Sequence, residues 1–422
     1  MLLEFTVENF RSFHDRTTLS MLASSDRKLP ENLSESDAIK GRKTVNSTVI
    51  YGANASGKSN IIIAITILRN FVVNSHMHQK GMLLNHQPFA FDDKCRTEPT
   101  RFTISFVQDD VRYDYIMAYD KDRIIEEELF HYPNGKMAMI FSRKGNEFKF
   151  NTDQTEQEVI SRRTLENALY LSTSVQFNYA KTAPAFSWFS KKMIAIDNTD
   201  HNSLINNAIE YMNHNKKAKK LMVQALKNAD LGLIGIEGKI RKVPLQKLYS
   251  DAPPQILGMM TMVGGSEALQ TDLRFKHKVL KEDGSDGEVE LSHIYESEGT
   301  RKLFCVLGPI IDTLQKGGTL VIDELDSKLH HDISRWLIGL FHDPDQNKAG
   351  AQLIFNSHDQ QLLDLSLFRR DQIWFVEKDA NSGASDLYSL AEFGERTDRD
   401  IQKAYQLGRY GAIPAIVPSK VV

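Results

Sequence analysis

The feature that most constrains this chain is a glycine-rich segment, residues 52–59, between an apolar strand and a predicted helix. Its sequence, GANASGKS, fits the pattern G-x-x-x-x-G-K-[ST], in which glycines let the backbone curl until its N–H groups face inward. These groups and the positive end of the following helix attract phosphate oxygens. A chance glycine-rich turn is the alternative interpretation, and the flanking strand and helix argue against it. The segment therefore predicts a phosphate-binding loop.

Two side chains of this loop have distinct predicted roles. Lys58 is expected to reach the β- and γ-phosphates of a nucleotide, and the Ser59 hydroxyl is expected to ligate Mg²⁺, which prefers hard oxygen ligands. The predicted cofactors are therefore ATP and Mg²⁺. The nucleotide-binding residues predicted in this segment are Gly52, Ala53, Asn54, Ala55, Ser56, Gly57, Lys58, Ser59 and Asn60.

A second motif is a short apolar strand, residues 319–322, that ends in two acids, Asp323 and Glu324. Ligands of parallel sheets bind at the C-terminal edge of the strands. Asp323 is expected to hold the Mg²⁺ shell, and Glu324 is expected to orient and deprotonate the water that attacks ATP. Without the phosphate loop, an ordinary acidic turn would explain the two acids equally well. Together the two motifs predict an ATP hydrolase with Lys58 and Glu324 as catalytic residues.

The composition limits what this chain can bind. Its 422 residues suggest two or three domains, and 41% hydrophobic with 25% charged residues is typical of globular proteins. The net charge of −3 requires any nucleic-acid or membrane contact to use a local patch. Cys95 and Cys305 stand in unrelated contexts and fit no metal-ligand spacing, which suits a reducing compartment. No apolar run is long enough for a membrane span, so a bacterial or archaeal cytoplasm is the expected location.

The order of predicted elements indicates the fold class. Strands alternate with helices in the last third, which favours an α/β fold with a mixed, mainly parallel sheet and flanking helices. Residues 89–150 contain short alternating runs with turns at 109–110 and 133–135, which predicts an antiparallel sub-sheet. We expect residues 1–160 to carry the phosphate loop and this sub-sheet, residues 161–290 to form a helical lobe or insertion, and residues 291–422 to carry the acid pair.

Three further segments resemble motifs of ABC-type ATPases. Ser297 and Gly299 precede an apolar helix and resemble the ABC signature, whose helix N-terminus suits the γ-phosphate of a nucleotide held by a second subunit. Residues 327–330 stand at the place of the D-loop. His358, after the next apolar strand, matches the switch histidine that contacts the γ-phosphate and counts as catalytic. A plain helix cap and a structural histidine are the alternatives for the signature and for His358.

The order of these motifs resembles the SMC/RecF branch of ABC ATPases. That resemblance implies an ABC-type P-loop ATPase head that closes on ATP as a homodimer or a larger oligomer. It also implies a glutamine that contacts nucleotide and Mg²⁺, for which Gln176 is the first candidate and Gln87 the second. Arg11, in the turn at residues 9–13, is expected to approach phosphate or base. Either glutamine, and Arg11, could equally be a surface residue. Glu298 and His330 depart from the transporter pattern, which suits the RecF-like branch.

The C-terminal strings at residues 370–378, 386–390 and 407–414 resemble abortive-infection ATPases of the AbiL/RloA type. This resemblance implies bacterial anti-phage defence, in which the ATPase is a sensor, scaffold or switch for a separate effector such as a nuclease or an RloB-like protein. The alternative is a RecF-like DNA-repair ATPase. Its DNA contacts would come from a basic patch, for which a solvated helix face is the other interpretation. The patch consists of Lys216, Lys217, Lys219, Lys220, Arg241 and Lys242.

Overall fold

A computed structural model describes residues 1–196, 201–229, 232–249, 255–256, 261, 266–394 and 400–413. The chain divides into two units. The first consists of Met1–Asp197, Thr313–Ser327 and His331–Val422, and the second of Asn198–Asp312 and Lys328–His330. The phosphate loop, the acid pair and His358 therefore belong to the first unit, and the Ser297 segment belongs to the second. Pro414, which ends the last C-terminal string, lies outside the described residues.

The described residues contain both strands and helices along the whole chain. The strands are β1 Leu2–Glu8, β2 Thr17–Ser20, β3 Leu33–Glu35, β4 Lys43–Val45, β5 Ser47–Gly52, β6 Thr100–Gln108, β7 Val111–Tyr119, β8 Ile124–His131, β9 Ala138–Lys144, β10 Glu147–Phe150, β11 Met193–Ile196, β12 Leu233–Pro244, β13 Glu267–Leu280, β14 Asp286–Ser292, β15 Thr319–Ile322, β16 Gln352–Asn356, β17 Ile373–Lys378 and β18 Ser385–Ser389. The helices are α1 Lys58–Asn74, α2 Gln154–Ser161, α3 Tyr170–Gln176, α4 Ala183–Ser187, α5 His201–His214, α6 Lys216–Asn228, α7 Leu245–Leu248, α8 Glu298–Lys316, α9 His331–His342 and α10 Ile401–Gln406.

The mainly parallel sheet of the first unit has the strand order β11-β15-β16-β5-β17-β18. Its strands pair in parallel except for β18, which runs antiparallel to β17. The strands β15 and β16 are buried throughout, as expected for short apolar runs with both faces of the sheet covered. Because β5, β15 and β16 are parallel, their C-terminal ends lie at one edge of the sheet. The predicted α/β fold class is confirmed.

An antiparallel sheet in the same unit has the order β10-β9-β8-β7-β6-β1-β2. It confirms the predicted sub-sheet and adds the two N-terminal strands. Asp109 and Asp110 join β6 to β7 with φ angles of 50° and 54°. Positive φ at both central residues is the geometry of a type I′ hairpin turn, which explains why two aspartates were recognisable as a turn. The core of the unit includes a stacked pair, Phe106 and Trp188, whose ring centroids are 4.2 Å apart.

The chain divides later than the predicted boundary at residue 161, since the residues up to 196 belong to the first unit. The buried carboxylate of Glu127 on β8 accepts the backbone N–H groups of Tyr170 and Leu171 at the start of α3, at 2.6 and 2.9 Å. Arg143 lies 3.8 Å from the same carboxylate, and burial raises the pKa of Glu127. A carboxylate at a helix N-terminus and a charged partner together offset the cost of burying it. This interaction fixes α3 on the antiparallel sheet.

The second unit, which was expected to be a helical lobe, contains helices and also a three-stranded sheet. The helices α5 and α6 contact β12, which forms a sheet of order β12-β13-β14. Phe275 on β13 and Phe304 on α8 meet edge to face, with centroids 5.7 Å apart. The strands β12 and β13 are long and rich in charged residues, a pattern that weakens the sequence signal for a half-buried strand. Within the described residues, no helix has the length and apolar character that a bilayer crossing requires.

His342 at the end of α9 makes the stability of the first unit sensitive to acid. Its imidazole Nε2 lies 2.7 Å from the Ser47 hydroxyl and 3.3 Å from the Gln372 amide nitrogen, and burial lowers its pKa from 6.5 to about 3. The unfolded chain therefore binds one more proton than the folded chain between these pH values. The resulting stability is complete above pH 6.5 and is lost as the pH falls toward the folded pKa.

We expect this group to contribute a loss of about 2 kcal/mol in the free energy of unfolding between pH 7 and pH 5. His342→Gln keeps an amide near Ser47 but cannot titrate, so its stability should decline less over the same interval. Urea unfolding of both proteins at a series of pH values measures the difference. Equal pH dependence in the two proteins would remove His342 as the cause.

Candidate functional site

The candidate site lies at the edge of the parallel sheet where β5, β15 and β16 end. The strand β16 lies between β5 and β15, and Asn356 at its end pairs in register with Ile50. The phosphate loop follows β5, and the acid pair follows β15. Motifs separated by more than 260 residues in the sequence are therefore neighbours in the fold.

The phosphate loop has the backbone geometry that its glycines predict. Gly57 has a φ of 110°, and a Cβ there would lie 2.6 Å from the hydroxyls of Ser12 and Ser385. Gly57 is also the N-cap of α1, which has no side-chain cap and no acid in its first turn. The N–H groups of a first helical turn have no intrahelical acceptor. The N-terminus of α1 can therefore donate hydrogen bonds to an anionic ligand.

Lys58 is buried although it carries a charge. Its ammonium group donates to the carbonyl oxygens of Gly52 and Ala53, at 2.7 and 2.9 Å. Burial lowers the pKa of Lys58, while the nearby carboxylates of Glu324 and Asp323 raise it. The loop thus holds the Lys58 cation beside its own N–H donors, and the acid pair is close enough to raise the pKa of that cation. This is the electrostatic arrangement expected for binding a phosphate chain.

Asn356 joins the two motifs and was not recognised from the sequence as a site residue. Its amide nitrogen donates to Asp323 Oδ1 at 2.6 Å and to Ser59 Oγ at 3.3 Å. Its amide oxygen accepts the backbone N–H of Glu324. The sequence signal for its role was its position at the end of a buried strand, directly before Ser357 and His358. Nothing local in the sequence showed that β16 would separate β5 from β15.

The donor set around Asn356 fits a magnesium ion. The oxygens of Ser59 and Asp323 both lie within hydrogen-bonding distance of one nitrogen, so they face a common small volume. A hydroxyl and a carboxylate are hard oxygen donors of the kind that Mg²⁺ prefers, with waters completing its octahedron. The residues present therefore fit the cation that the sequence motifs predict.

Glu324 and His358 face each other at the open side of the site. His358 Nε2 lies 3.8 Å from Glu324 Oε1, and the two side chains are 48% and 39% exposed. Glu324 has a φ of 51°, a conformation that is costly for a residue with a Cβ and recurs at functional positions. Asp326 Oδ2 accepts the N–H groups of His358 and Asp359, at 3.2 and 3.1 Å. The turn after β15 therefore positions the segment that carries His358.

Arg11 reaches the phosphate loop through the first turn of α1. Its guanidinium donates to Asn60 Oδ1 at 3.2 Å and to Gln87 Oε1 at 2.5 Å. Asn60 in turn donates to the Ser12 hydroxyl at 2.7 Å. The turn at residues 9–13 thus contacts the start of α1 directly. Gln87, the second candidate for the metal-sensing glutamine, is the one that belongs to this network.

Gln176, the first candidate for this glutamine, lies outside the hydrogen-bond network that joins Arg11 to Asn60. It is exposed and ends α3, and the Ser172 hydroxyl of α3 accepts the backbone N–H of His76, which lies in the turn that follows the far end of α1. The helix α1 has 17 residues and is about 25 Å long, with the phosphate loop at its other end. The helical character of residues 170–176 was correctly predicted, but the polarity of α1 places their contacts away from the loop.

The Ser297 segment has the expected helix cap in the second unit. The Ser297 hydroxyl accepts the Thr300 N–H at 3.0 Å. A Cβ on Gly299 would lie 2.7 Å from the carbonyl oxygen of Lys328, so only glycine allows this approach. Lys328 also pairs with Glu298 at 2.9 Å. The predicted signature and the predicted D-loop therefore contact each other within this unit.

The chain matches the model of one protein family. The family described as "AAA domain, putative AbiEii toxin, Type IV TA system" matches residues 47–364, about three quarters of the chain. That range begins at β5 and includes the phosphate loop, the acid pair and His358. A search of curated proteins finds no match.

Solved structures of SMC heads are similar to this chain. The SMC head domain from Thermotoga maritima is 14% identical with a TM-score of 0.40, and the comparison covers 92% of this chain and 98% of that one. The SMC head of Pyrococcus furiosus, with an extended coiled coil and bound to the C-terminal domain of ScpA, is 13% identical with a TM-score of 0.38. That comparison covers 97% of this chain and 98% of the other.

The bridge made by Asn356 leads to a test of the metal site. We expect Asn356→Ala to weaken Mg²⁺-dependent ATP binding about tenfold, or about 1.4 kcal/mol, because Ser59 and Asp323 lose their shared donor. Binding in the presence of EDTA should change little. Calorimetric titration measures both, and Asn146→Ala, at an exposed hairpin, is the matched control. Equal losses with and without the metal would show a general structural role for Asn356.

Proposed function

Because this chain belongs to the AAA-domain family that its residues 47–364 match, we propose that it is a Mg²⁺-dependent ATP hydrolase of the ABC type. The observation that carries this proposal is the Asn356 bridge. One amide side chain connects Ser59 of the phosphate loop with both acids that follow β15. With Lys58 beside the same acids, the arrangement combines phosphate binding, cation binding and a carboxylate base at one sheet edge.

Each residue has a defined task in this proposal. The N-terminal N–H groups of α1 and the Lys58 ammonium bind the β- and γ-phosphates. Ser59 and Asp323 would hold Mg²⁺, which would neutralise charge on the phosphates. Glu324 accepts a proton from the attacking water, and His358 donates a hydrogen bond to the γ-phosphate. Arg11 and Gln87 position the first turn of α1 through Asn60.

We expect Glu324→Gln to reduce ATP hydrolysis by at least about a hundredfold, since the amide cannot accept the proton of the attacking water. ATP affinity should stay close to the parent value because the phosphate contacts are intact. Phosphate release and equilibrium binding are measured on the same preparations, and Glu31→Gln at an exposed site is the control. Hydrolysis at the parent rate in Glu324→Gln would exclude Glu324 as the base.

A second copy of the chain would complete the nucleotide site. The N-terminus of α8, which is capped by Ser297 and contains Gly299, would complete the site of a partner copy at the γ-phosphate. ATP would then be bound between one phosphate loop and the partner's α8. A two-fold homodimer contains two such composite sites, each built from both copies.

Mixing two inactive variants tests this composite site. Lys58→Ala damages the phosphate loop, and Ser297→Arg blocks the α8 terminus at an exposed position. In a two-fold dimer of one copy each, one site carries both defects and the other carries neither. An equal mixture should therefore recover roughly a quarter of the parent rate per chain. No recovery would mean that each active site is complete within one copy.

The biological role we propose is a switch in anti-phage defence. The matched family is described as a putative AbiEii toxin of a type IV toxin–antitoxin system. The AbiL/RloA-like C-terminal strings favour the same setting. A separate effector, such as a nuclease or an RloB-like protein, would bind in one nucleotide state only. Co-purification of the neighbouring gene product with Glu324→Gln, in ATP and in ADP, tests this role, and equal recovery in both nucleotides would contradict it.

A DNA-repair role is the second candidate, and the helix α6 favours it. Lys216, Lys217 and Lys219 lie in its first turn, where positive charge opposes the helix dipole. Such an arrangement costs stability and suggests a ligand that is anionic. The sheet of β12, β13 and β14 offers less unpaired positive charge for DNA, since Lys276 on β13 pairs with Glu237 on β12 at 2.8 Å. DNA binding whose salt dependence is unchanged by neutralising these lysines would exclude them as a phosphate-backbone contact.

A further inference from the structure

A mixed group of metal-binding side chains lies outside the nucleotide site. His14 follows β1, and Asp92 and Cys95 precede β6. The strands β1 and β6 pair antiparallel, with Glu8 opposite Arg101, so the loop that leaves one strand meets the loop that enters the other. One ligand atom from each of the three residues lies within 4.8 Å of the other two. His14 Nε2 and Asp92 Oδ2 are 3.3 Å apart.

The backbone around this group is held by contacts of its own. Asn9 donates from its side chain to the carbonyl oxygens of Cys95 and Glu98, at 2.8 and 2.9 Å. The Asn9 side-chain oxygen accepts the N–H of Phe89 at 2.9 Å. The N–H of Lys94 donates to Asp92 Oδ1 at 2.8 Å. The three side chains are therefore brought together by the fold, and a ligand would not have to assemble them.

Asp15 orients the histidine of this group. Its carboxylate lies 2.8 Å from His14 Nδ1, on the side of the ring away from Asp92. A carboxylate on one imidazole nitrogen fixes the proton there and leaves the lone pair of the other nitrogen free. Metal-binding histidines commonly have this second partner. His14 Nε2 thus faces Asp92 and Cys95, and a cation bound there would take the place of the contact between Nε2 and Asp92 Oδ2.

We propose that His14, Asp92 and Cys95 bind one Zn²⁺ ion and leave one coordination position open. Nitrogen, oxygen and thiolate sulfur donors in a tetrahedral shell are typical of zinc. Ligand atoms at zinc bond lengths are about 3.5 Å apart across a tetrahedron, close to the separation of His14 and Asp92. Binding replaces the thiol proton of Cys95, which leaves to solvent. His14 and Asp92 are partly exposed, so the ion has a path to the site.

The site would stabilise the loops next to the phosphate loop. His14 follows the turn that carries Arg11, and Cys95 belongs to the segment that follows Gln87. An ion bound to both segments would restrict their separation and so stabilise the Arg11–Gln87 contact. Metal binding by these three residues does not depend on ATP hydrolysis.

The two cysteines of the chain allow a sharp test. Chelator-treated full-length protein is titrated with Co²⁺, whose thiolate complexes absorb in the near ultraviolet, and Zn²⁺ is then added as a competitor. We expect one equivalent to bind, a thiolate band to appear and Zn²⁺ to remove it. Cys95→Ser should lose the band, while Cys305→Ser, a change at the other buried cysteine, should retain it.

Two further variants separate metal binding from folding. His14→Gln at a partly exposed position should weaken Co²⁺ affinity at least tenfold without changing the circular dichroism spectrum. Asp15→Asn should weaken it about tenfold through the ring orientation. Absence of one-equivalent binding would overturn the proposal and identify the group as an ion pair of His14 with its two aspartates. A thiolate band that persists in Cys95→Ser or disappears in Cys305→Ser would also overturn the proposal.

Discussion

The position of β16 between β5 and β15 is the constraint on which the nucleotide site depends. Parallel pairing sets Phe355 beside Ile322 and Asn356 beside Ile50, so one side chain at the end of β16 reaches both the phosphate loop and the acid pair. A buried amide can donate and accept at the same time, and here it uses both functions. If β16 shifted by one residue, Asn356 would point to the opposite face. The geometry of the phosphate loop and of the acid pair thus depends on strand register.

The limit of prediction was set by how far apart the interacting residues lie in the sequence. The phosphate loop, the acid pair, the Ser297 cap and the aspartate hairpin have signals within a few residues, and the sequence predicted each of them. Asn356, Gln87 and Ser385 act through contacts with residues from distant segments. Ser385, for example, donates to the Ser56 carbonyl oxygen at 2.6 Å, and no local pattern could indicate that pairing. The contact between Gln87 and Arg11 escaped the sequence for the same reason.

The proposed metal site at His14, Asp92 and Cys95 illustrates the same limit. Spacing rules find metal sites whose ligands are close in sequence, but His14 and Asp92 are 78 residues apart. Only the antiparallel pairing of β1 with β6 makes them neighbours.

The three-stranded sheet of the second unit was not predicted for a different reason, because its outward side chains form ion pairs in place of an apolar face. Lys276 contacts both Glu237 and Glu290, so charge pairing replaces the alternation that usually indicates a strand.

The hydrogen bonds of Lys58 have a consequence for which anions the proposed site would bind. Its ammonium group already has two acceptors, the carbonyl oxygens of Gly52 and Ala53. An incoming group must displace neutral acceptors held in place by the chain itself, and only one with concentrated negative charge offers a stronger bond in return. Weakly charged or singly charged anions gain little from the exchange. In the proposed nucleotide site, the carbonyl oxygens of the loop would therefore compete with the incoming ligand for Lys58, and this competition would favour polyphosphates over smaller anions.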